Sequence, residues 1–288
     1  MEAGEGGGGD MSLVAYVPLH VSSMWAPAYD PDELKTGSVG AGVLLWPGVK
    51  VRLGRGRRLP HVDAVLARLG VRAEVAFSSP AEPGQGYGVS GAVALGTAMM
   101  AAAAAGRPLL QAAQAAHVVE VAMGTGLGDV AAQFHGGGIE VRVRPGAPGV
   151  GLVDRVPHPA GLMALVHEYG REDTSSMLRR LAGFLASEGR ELVERFLKEP
   201  TYDSFLRYSA EFSRRAGFLT QDVEARASAC RRLFDGYYAK KGVLVFLTYR
   251  DVVEDAARCL SGVGLAVRPF RLAHSGALVF HSRPRTPP

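Results

Sequence analysis

The sequence predicts a mixed α/β or α+β protein of two lobes. Two observations support this prediction: strand-like and helix-like apolar patterns alternate along the chain, and a Pro- and Gly-rich break, "PGAPGVG", interrupts them at residues 145–151. The 288 residues are enough for one large domain or two of ordinary size. We therefore expect a disordered tail over residues 1–10, an N-terminal domain over 11–150 and a C-terminal domain over 151–288.

The N-terminal half begins with strands and continues mainly with helices. A first strand is predicted over 11–21, ending near Pro18, and a small-residue turn leads into a strand over 37–45. The apolar run at 90–106 approaches the length of a membrane span, but its Ala- and Gly-rich composition favours a buried helix. The other predicted elements are a helix over 61–71, a strand over 72–80, a helix over 108–124, a short helix within 124–138 and a strand over 139–146.

The C-terminal half shows a different order of patterns. It opens with a strand-like segment over 151–156 and continues with three helical patterns. We expect a closing β-hairpin over 265–281. The helical patterns are 175–198, 201–215 and 220–235, followed by a buried strand over 242–249 and a helix over 251–264.

Composition and charge exclude several classes of protein. The net charge of +4 is small and the basic residues are scattered, so neither nucleic-acid binding nor a membrane role is indicated. Cys230 and Cys259 are so far apart that they indicate neither a zinc site nor a disulfide framework, which favours a reducing cytosol. The N-terminal segment has no signal-peptide pattern, and we expect a cytoplasmic protein.

The segment "PGQGYGVSG", residues 83–91, carries the strongest functional signal. Glycines at 84, 86 and 88 allow a positive φ and close approach of the backbone to a ligand. The helix that follows directs its free N–H groups and positive dipole end at the loop, which suits a polyphosphate. The segment lacks the Lys of a Walker motif and the spacing of a dinucleotide fingerprint, and a plain tight turn is the alternative.

This segment resembles the phosphate-binding motif of the GHMP kinase superfamily, in which Pro precedes G-x-G-x-G-S-S-A-A. The glycines and Ser90 fall in step with that motif, whereas Tyr87 replaces the usual Leu. The resemblance implies a two-lobed α+β GHMP kinase fold, with the active site between the lobes and ATP bound by the domain over 11–150. The nucleotide-binding residues that it implies are Pro83, Gly84, Gln85, Gly86, Tyr87, Gly88, Val89, Ser90 and Gly91.

Two carboxylates follow this motif in an otherwise neutral stretch. In the superfamily, a carboxylate on the next helix binds Mg²⁺, and an Asp before a Gly-Gly turn is the proposed base. Glu120, 30 residues after Ser90, and Asp129 occupy these places. We therefore expect Ser90 and Glu120 to hold Mg²⁺ and Asp129 to face the attacking hydroxyl. The alternatives are that Glu120 is a solvated residue of a helix and that Asp129 only caps the N-terminus of a helix.

Within the superfamily, the chain looks most like the archaeal pantoate kinases over residues 11–150. The matching segments are "VPLHVSS" at 17–23, "GSVGAG" at 37–42 and the stretch 117–149. The resemblance implies ATP-dependent phosphorylation of the 4-hydroxyl of pantoate to 4-phosphopantoate in coenzyme A biosynthesis.

Pantoate carries a carboxylate and hydroxyl groups, so its site needs a cation and hydroxyl-matched donors. Arg142 is the favoured carboxylate ligand, ahead of Arg144, because of its place after the glycine turn. The other candidate substrate residues are His117, which shares a helix face with Glu120, together with Ser38 and Thr174. In addition, His20 is a candidate for the lining of the nucleotide or substrate pocket. His135 is expected to have no role in the site.

Two alternatives remain open at this stage. One is another GHMP small-molecule kinase, acting on homoserine, shikimate or an isoprenoid precursor. The other is a GHMP-fold regulator that binds a ligand without catalysis, although the presence of both Glu120 and Asp129 argues against it. The expected ligands are ATP, Mg²⁺ and a small hydroxy acid, and a homodimer is among the possible assemblies.

Overall fold

The computed structural model describes residues 12–282, and the predicted tail over 1–10 lies outside them. Ten strands of the described residues form one connected sheet. Along its main path the strand order is β10-β1-β2-β9-β6-β8-β7; β3 and β4 also pair with β2, and β5 pairs with β4. The strands are β1 (Ser12–Ala28), β2 (Gly37–Leu53), β3 (Val75–Ser78), β4 (Ile139–Arg144), β5 (Leu152–Val156), β6 (Leu162–Glu168), β7 (Gly236–Lys240), β8 (Val243–Tyr249), β9 (Val267–Leu272) and β10 (Leu278–Ser282).

Ten α-helices of the described residues accompany the sheet. They are α1 (Pro60–Leu69), α2 (Val89–Ala104), α3 (Leu109–Ala122), α4 (Asp129–His135), α5 (Thr174–Arg180), α6 (Ala182–Ala186), α7 (Glu188–Lys198), α8 (Tyr202–Arg215), α9 (Gln221–Ser228) and α10 (Val253–Gly262). A short 3₁₀ helix, Arg231–Leu233, precedes β7. The mixed α+β composition that the sequence predicts is confirmed.

The first two strands are much longer than predicted. Each spans 17 residues, and β1 does not end near Pro18. The antiparallel register shifts between Val17 and Leu19, so Pro18 lies at an irregularity of the ladder. A proline at such a point removes no ladder hydrogen bond, which explains why the strand continues.

Helix α2 is the central helix of the core, as predicted for a buried rather than a membrane-spanning segment. Thirteen of its sixteen residues are buried. A Cβ at Gly96 would lie 2.5 Å from a methyl group of Val51 on β2, so the helix packs closely on the sheet. Among residues 12–282, no helix is both long and apolar enough to cross a membrane.

The predicted C-terminal hairpin is wrong. β9 pairs with β2 and β6, whereas β10 pairs with β1 at the sheet edge, so the two strands do not pair with each other. Sequence patterns also missed β6 and β7, both of which pair with β8. The helical pattern predicted over 175–198 is divided into α5, α6 and α7.

The interpretation that the two cysteines are too far apart in sequence for a disulfide framework is also wrong. Cys230 and Cys259 form a disulfide across 29 residues of sequence. Helix α10 contacts the 3₁₀ helix that follows Cys230, and this tertiary contact brings the two side chains together. Sequence separation alone does not reveal such a contact.

Candidate active site

The glycine-rich loop leads directly from β3 into the buried end of α2. Gly84, Gly86 and Gly88 all have positive φ angles, of 86°, 96° and 62°. Gly88 is the N-cap of α2 and offers no side-chain cap. The N–H groups of the first helical turn, with the positive end of the helix dipole, therefore face the loop and favour a bound anion.

The side chains within the loop anchor it to the sheet. The Tyr87 hydroxyl donates to Glu168 Oε1 at 2.8 Å, and Gln85 Nε2 donates to Glu168 Oε2 at 3.0 Å. Burial and the neighbouring Glu168 raise the pKa of Tyr87, so it remains a neutral donor. The Tyr87 carbonyl also accepts from the His20 backbone N–H at 2.9 Å. Gln85 and Tyr87, both predicted to bind nucleotide, therefore use their side chains for positioning the loop.

Two clefts meet beside this loop. Their shared wall consists of Asp129, Thr174, Met177 and Lys240. The glycine-loop cleft is lined in addition by Gly84, Gly86, Gly88, Val89, Ser90, Thr125 and Lys241. The serine cleft is lined in addition by Ser22, Trp25, Ser38, Gly126, Leu127, Gly128 and Leu178.

Glu120 lies buried behind Ser90 and Thr125, two residues that line the glycine-loop cleft. Its Oε1 accepts from the Thr125 hydroxyl at 2.8 Å and lies 2.9 Å from His61 Nε2. The Ser90 hydroxyl donates to Oε2 at 3.3 Å. A Cβ at Gly126 would overlap Glu120 Oε2 and lie 3.1 Å from Asp129 Oδ2, so both carboxylates converge on this glycine.

Asp129 is the first residue of α4, and its carboxylate is 14% exposed. His20 Nδ1 lies 2.6 Å from Asp129 Oδ1. Although burial opposes ionisation, the positive charge of Lys240, the bond to His20 and the charge of Arg142 hold the pKa of Asp129 well below its usual range. The carboxylate is therefore ionised at neutral pH and accepts hydrogen bonds only.

A second buried carboxylate supports His20 from the opposite side. Glu140 Oε1 lies 2.9 Å from His20 Nε2 and also accepts from Arg142 Nη1. Because a carboxylate only accepts, both bonds of His20 form together when both of its ring nitrogens carry a proton. The result is a continuous chain, Arg142–Glu140–His20–Asp129, which fixes the orientation of Asp129.

Arg142 has donors besides the Nη1 that bonds to Glu140. The residue is 2% exposed, and its Nε and Nη2 have no hydrogen-bond partner within the described residues. A Cβ at Gly128 would overlap Ser38 Oγ and lie 2.7 Å from Arg142 Nε. Gly128 lines the serine cleft, so the absence of a side chain there leaves Ser38 and Arg142 close to that cleft.

Comparison with known proteins identifies the family. The model of the GHMP kinases N terminal domain matches residues 59–137. A pantoate kinase of Thermococcus kodakarensis is 33% identical over 303 residues, which cover 96% of this chain and 98% of that protein. The chain belongs to the pantoate kinase family of the GHMP kinases. A pantoate kinase of Methanocaldococcus jannaschii is 26% identical, over 85% of this chain and 96% of that protein.

Solved structures confirm the two-lobed GHMP kinase fold. A structure described as a phosphotransferase related to the CoA biosynthesis pathway superimposes with a TM-score of 0.82 at 28% identity, over 96% of this chain and all of that chain. Mevalonate-3-kinase from Thermoplasma acidophilum superimposes with a TM-score of 0.64 at 11% identity, over 96% of this chain and 99% of that chain, a likeness of fold alone.

Three other residues are predicted to bind substrate, and the structure places two of them in the clefts. Ser38 and Thr174 line the clefts, and the Thr174 hydroxyl accepts from Lys241 Nζ at 2.7 Å. His117 lines neither cleft: it is 1% exposed, its Nε2 contacts the Thr36 carbonyl at 2.8 Å, and burial lowers its pKa. This contact with Thr36 occupies Nε2 and supports the backbone two residues before Ser38.

Arg144 and His135, like Arg142, line neither cleft. Arg144 is exposed and its Nε donates to the Val150 carbonyl at 3.1 Å, unlike buried Arg142 on the same strand. His135, expected to be incidental, stacks edge-on against Phe134 and lines neither cleft.

Sequence reasoning missed Lys240, Lys241 and Glu140. Lys240 is the last residue of β7, a strand that the apolar pattern did not predict, and Lys241 follows it in the turn to β8. One signal was available: the chain has only five lysines, and two of them are adjacent, directly before a buried strand. No sequence signal marks Glu140 as a site residue. In a strand of alternating polar and apolar residues, a charged residue normally faces solvent.

Proposed function

We propose that the chain transfers the γ-phosphoryl group of ATP to the 4-hydroxyl of pantoate and so makes 4-phosphopantoate for coenzyme A biosynthesis. The observation that carries the proposal is the meeting of two clefts at Asp129, with a phosphate-binding loop in one and Arg142 and Ser38 beside the other. The pantoate kinase relatives match nearly the whole chain, which supports the choice of substrate.

The glycine-loop cleft is the proposed nucleotide site. The first-turn N–H groups of α2 bind the phosphates, and Gln85 and Tyr87 keep the loop rigid through Glu168. ATP is the donor that membership of this kinase family implies.

Ser90 and Glu120 fit a Mg²⁺ ion on the chemistry of their donor atoms. Ser90 Oγ and Glu120 Oε2 lie 3.3 Å apart beside the loop, and Mg²⁺ bound with nucleotide needs only one or two protein oxygens besides phosphate and water. Residues 12–282 contain no cluster of three or more acidic, His or Cys side chains suited to a metal. When bound, the ion would neutralise phosphate charge.

The serine cleft is the proposed acceptor site. Arg142 offers Nε and Nη2 to the pantoate carboxylate in a bidentate pair, and Ser38 bonds a hydroxyl or carboxylate oxygen. Asp129 accepts the hydrogen bond of the 4-hydroxyl and turns its oxygen toward the γ-phosphorus. Thr174, on the shared wall, is placed to contact substrate from the second lobe.

We further propose that residues 11–150 and 151–288 are the two lobes and that the enzyme acts in the cytoplasm. The first assignment is supported by the clefts, which combine the glycine loop and Asp129 with Thr174 and Lys240 from the second part. The second rests on the metabolic character of the relatives.

The test measures ADP release with ATP, Mg²⁺ and a panel of pantoate, pantothenate, homoserine, shikimate and mevalonate. Pantoate should give the highest kcat/KM, and the ³¹P spectrum of its product should show a monoester on the 4-oxygen. Faster turnover of homoserine or mevalonate would refute the substrate and retain the kinase. No turnover of any alcohol, with ATP bound, would favour the non-catalytic alternative.

A further inference from the structure

Lys240 is a buried cation that interacts with Asp129 through its charge but makes no ion pair at contact distance. The residue is 7% exposed at the end of β7, and its Nζ lies 5.3 Å from the centre of the Trp25 ring. Within residues 12–282, no carboxylate forms an ion pair with it. A buried ammonium group that makes no ion pair at contact distance retains donors for a ligand, and its place on the wall of two clefts points to an anion.

The position of Lys240 differs from that of its neighbour in one respect that matters for catalysis. Lys240 lines both clefts together with Asp129, whereas Lys241 lines only the glycine-loop cleft. Lys241 also donates to Thr174 at 2.7 Å, which occupies part of its ammonium group. Of the two lysines, only Lys240 therefore lines the path of an anion that passes from one cleft to the other.

We propose that Lys240 is a catalytic residue whose ammonium group contacts the phosphoryl group during its transfer from ATP to the acceptor hydroxyl. This inference rests on the proposed function. The bond between the γ-phosphorus and the β,γ-bridging oxygen breaks and leaves its electron pair on ADP. The acceptor oxygen forms the new bond to phosphorus, and its proton passes by way of Asp129 to solvent. A fixed cation that neutralises the equatorial oxygens lowers the barrier without covalent chemistry.

The protonation of Lys240 supports this role and gives it a pH signature. Burial lowers the pKa of Lys240 to about 8, partly offset by Asp129, so the ammonium form predominates at neutral pH and is lost above pH 8. The charged groups that face it are Asp129 on α4, Lys241 on the turn, and Glu140 and Arg142 on β4. Of these, Lys241 and Arg142 lower the pKa, whereas Glu140 and Asp129 raise it.

The test compares Lys240→Met with the matched variants Lys241→Met and Lys198→Met, the last on an exposed site of α7. Lys240→Met should lower kcat for pantoate about 10²- to 10³-fold. Enzymes lose about this much when one preorganised hydrogen-bond donor to a transition-state anion is removed. Its ATP dissociation constant, measured by calorimetry, should change less than about threefold. Lys241→Met should mainly weaken ATP binding, and Lys198→Met should match the wild type.

Two further measurements separate a catalytic from a structural role. The melting temperature of Lys240→Met should stay near that of the wild type, because the desolvated ammonium group and its favourable field at Asp129 are lost together. Lys240→Arg, charged at all accessible pH values, should restore part of kcat and lose the decline above pH 8.

Near-normal kcat in folded Lys240→Met, or an equal loss in Lys241→Met, would overturn the assignment. If the wild type phosphorylates another alcohol instead of pantoate, the proposed substrate fails, and the same comparison is run with that alcohol. The two failures are therefore distinguishable.

Discussion

Arg142→Lys should separate the recognition of pantoate from the integrity of the site. Removing the positive charge altogether would leave the buried Glu140 carboxylate without its ion-pair partner, and an uncompensated buried charge costs about 3–5 kcal/mol. Lysine keeps a cation near Glu140 but cannot reproduce the planar fork of Nε and Nη2, the two donors that lack a partner in the described part of the protein. The substitution therefore removes the proposed carboxylate contact and retains the ion pair.

The expected magnitude follows from the hydrogen bonds that the substitution removes. Hydrogen bonds to a charged group contribute about 1.5–3 kcal/mol, which corresponds to roughly a ten- to hundred-fold rise in KM for pantoate. The KM for ATP should stay within about twofold, because Arg142 does not line the glycine-loop cleft. Pantothenate, whose carboxylate has become an amide, should be a poor substrate of the wild type and should be little affected by the change.

The assay is steady-state ADP release with varied pantoate at saturating ATP, and varied ATP at saturating pantoate. Arg144→Lys is the matched control, since Arg144 lies on the same strand, is exposed and donates a side-chain hydrogen bond to the Val150 carbonyl. An unchanged KM for pantoate in folded Arg142→Lys would refute the carboxylate assignment. A parallel rise in the KM for ATP would show instead that the site as a whole has been disturbed.

Three further predictions follow from the site and the fold. Asp129→Asn should lower kcat at least a hundredfold with near-normal ATP binding by calorimetry; retained kcat would exclude Asp129 from the reaction. Glu120→Gln should raise the Mg²⁺ concentration needed for half-maximal activity several-fold, and an unchanged Mg²⁺ titration would exclude it as a ligand. Replacing Cys230 and Cys259 by Ser should lower the free energy of unfolding by about 3–4 kcal/mol, the loop-entropy value for the 29-residue separation; identical denaturant midpoints would contradict this.

Local patterns predicted the parts of the fold and site that depend on local chemistry. The loop before α2, the burial of α2 and the short helix at Asp129 follow from glycine spacing, apolar content and turn residues, and these agree with the structure. The C-terminal strands depend on pairing with partners far away in sequence: β9 inserts between β2 and β6, and β10 reaches β1. Nothing in 265–281 encodes those partners.

The same distinction explains which site residues escaped the sequence. Ser90 and Asp129 lie in a motif, whereas Lys240 enters the site only because β7 pairs with β8 and presents its last residue beside Asp129. His117 shows the converse: its helical spacing from Glu120 is real, but its Nε2 contacts the Thr36 carbonyl. Spacing places residues on one face of a helix and does not decide what that face packs against.

The electrostatics of Asp129 bear on the kind of catalysis that the site performs. Lys240, His20 and Arg142 hold the pKa of Asp129 below its usual range, which makes the carboxylate a weak acceptor of a full proton. The same neighbours keep it ionised and fixed, so it remains a strong and well-oriented hydrogen-bond acceptor for an attacking hydroxyl. Phosphoryl transfer through a loose transition state needs little proton removal before the bond to phosphorus forms. The surroundings of Asp129 therefore favour catalysis by alignment and charge neutralisation, with the proton leaving late.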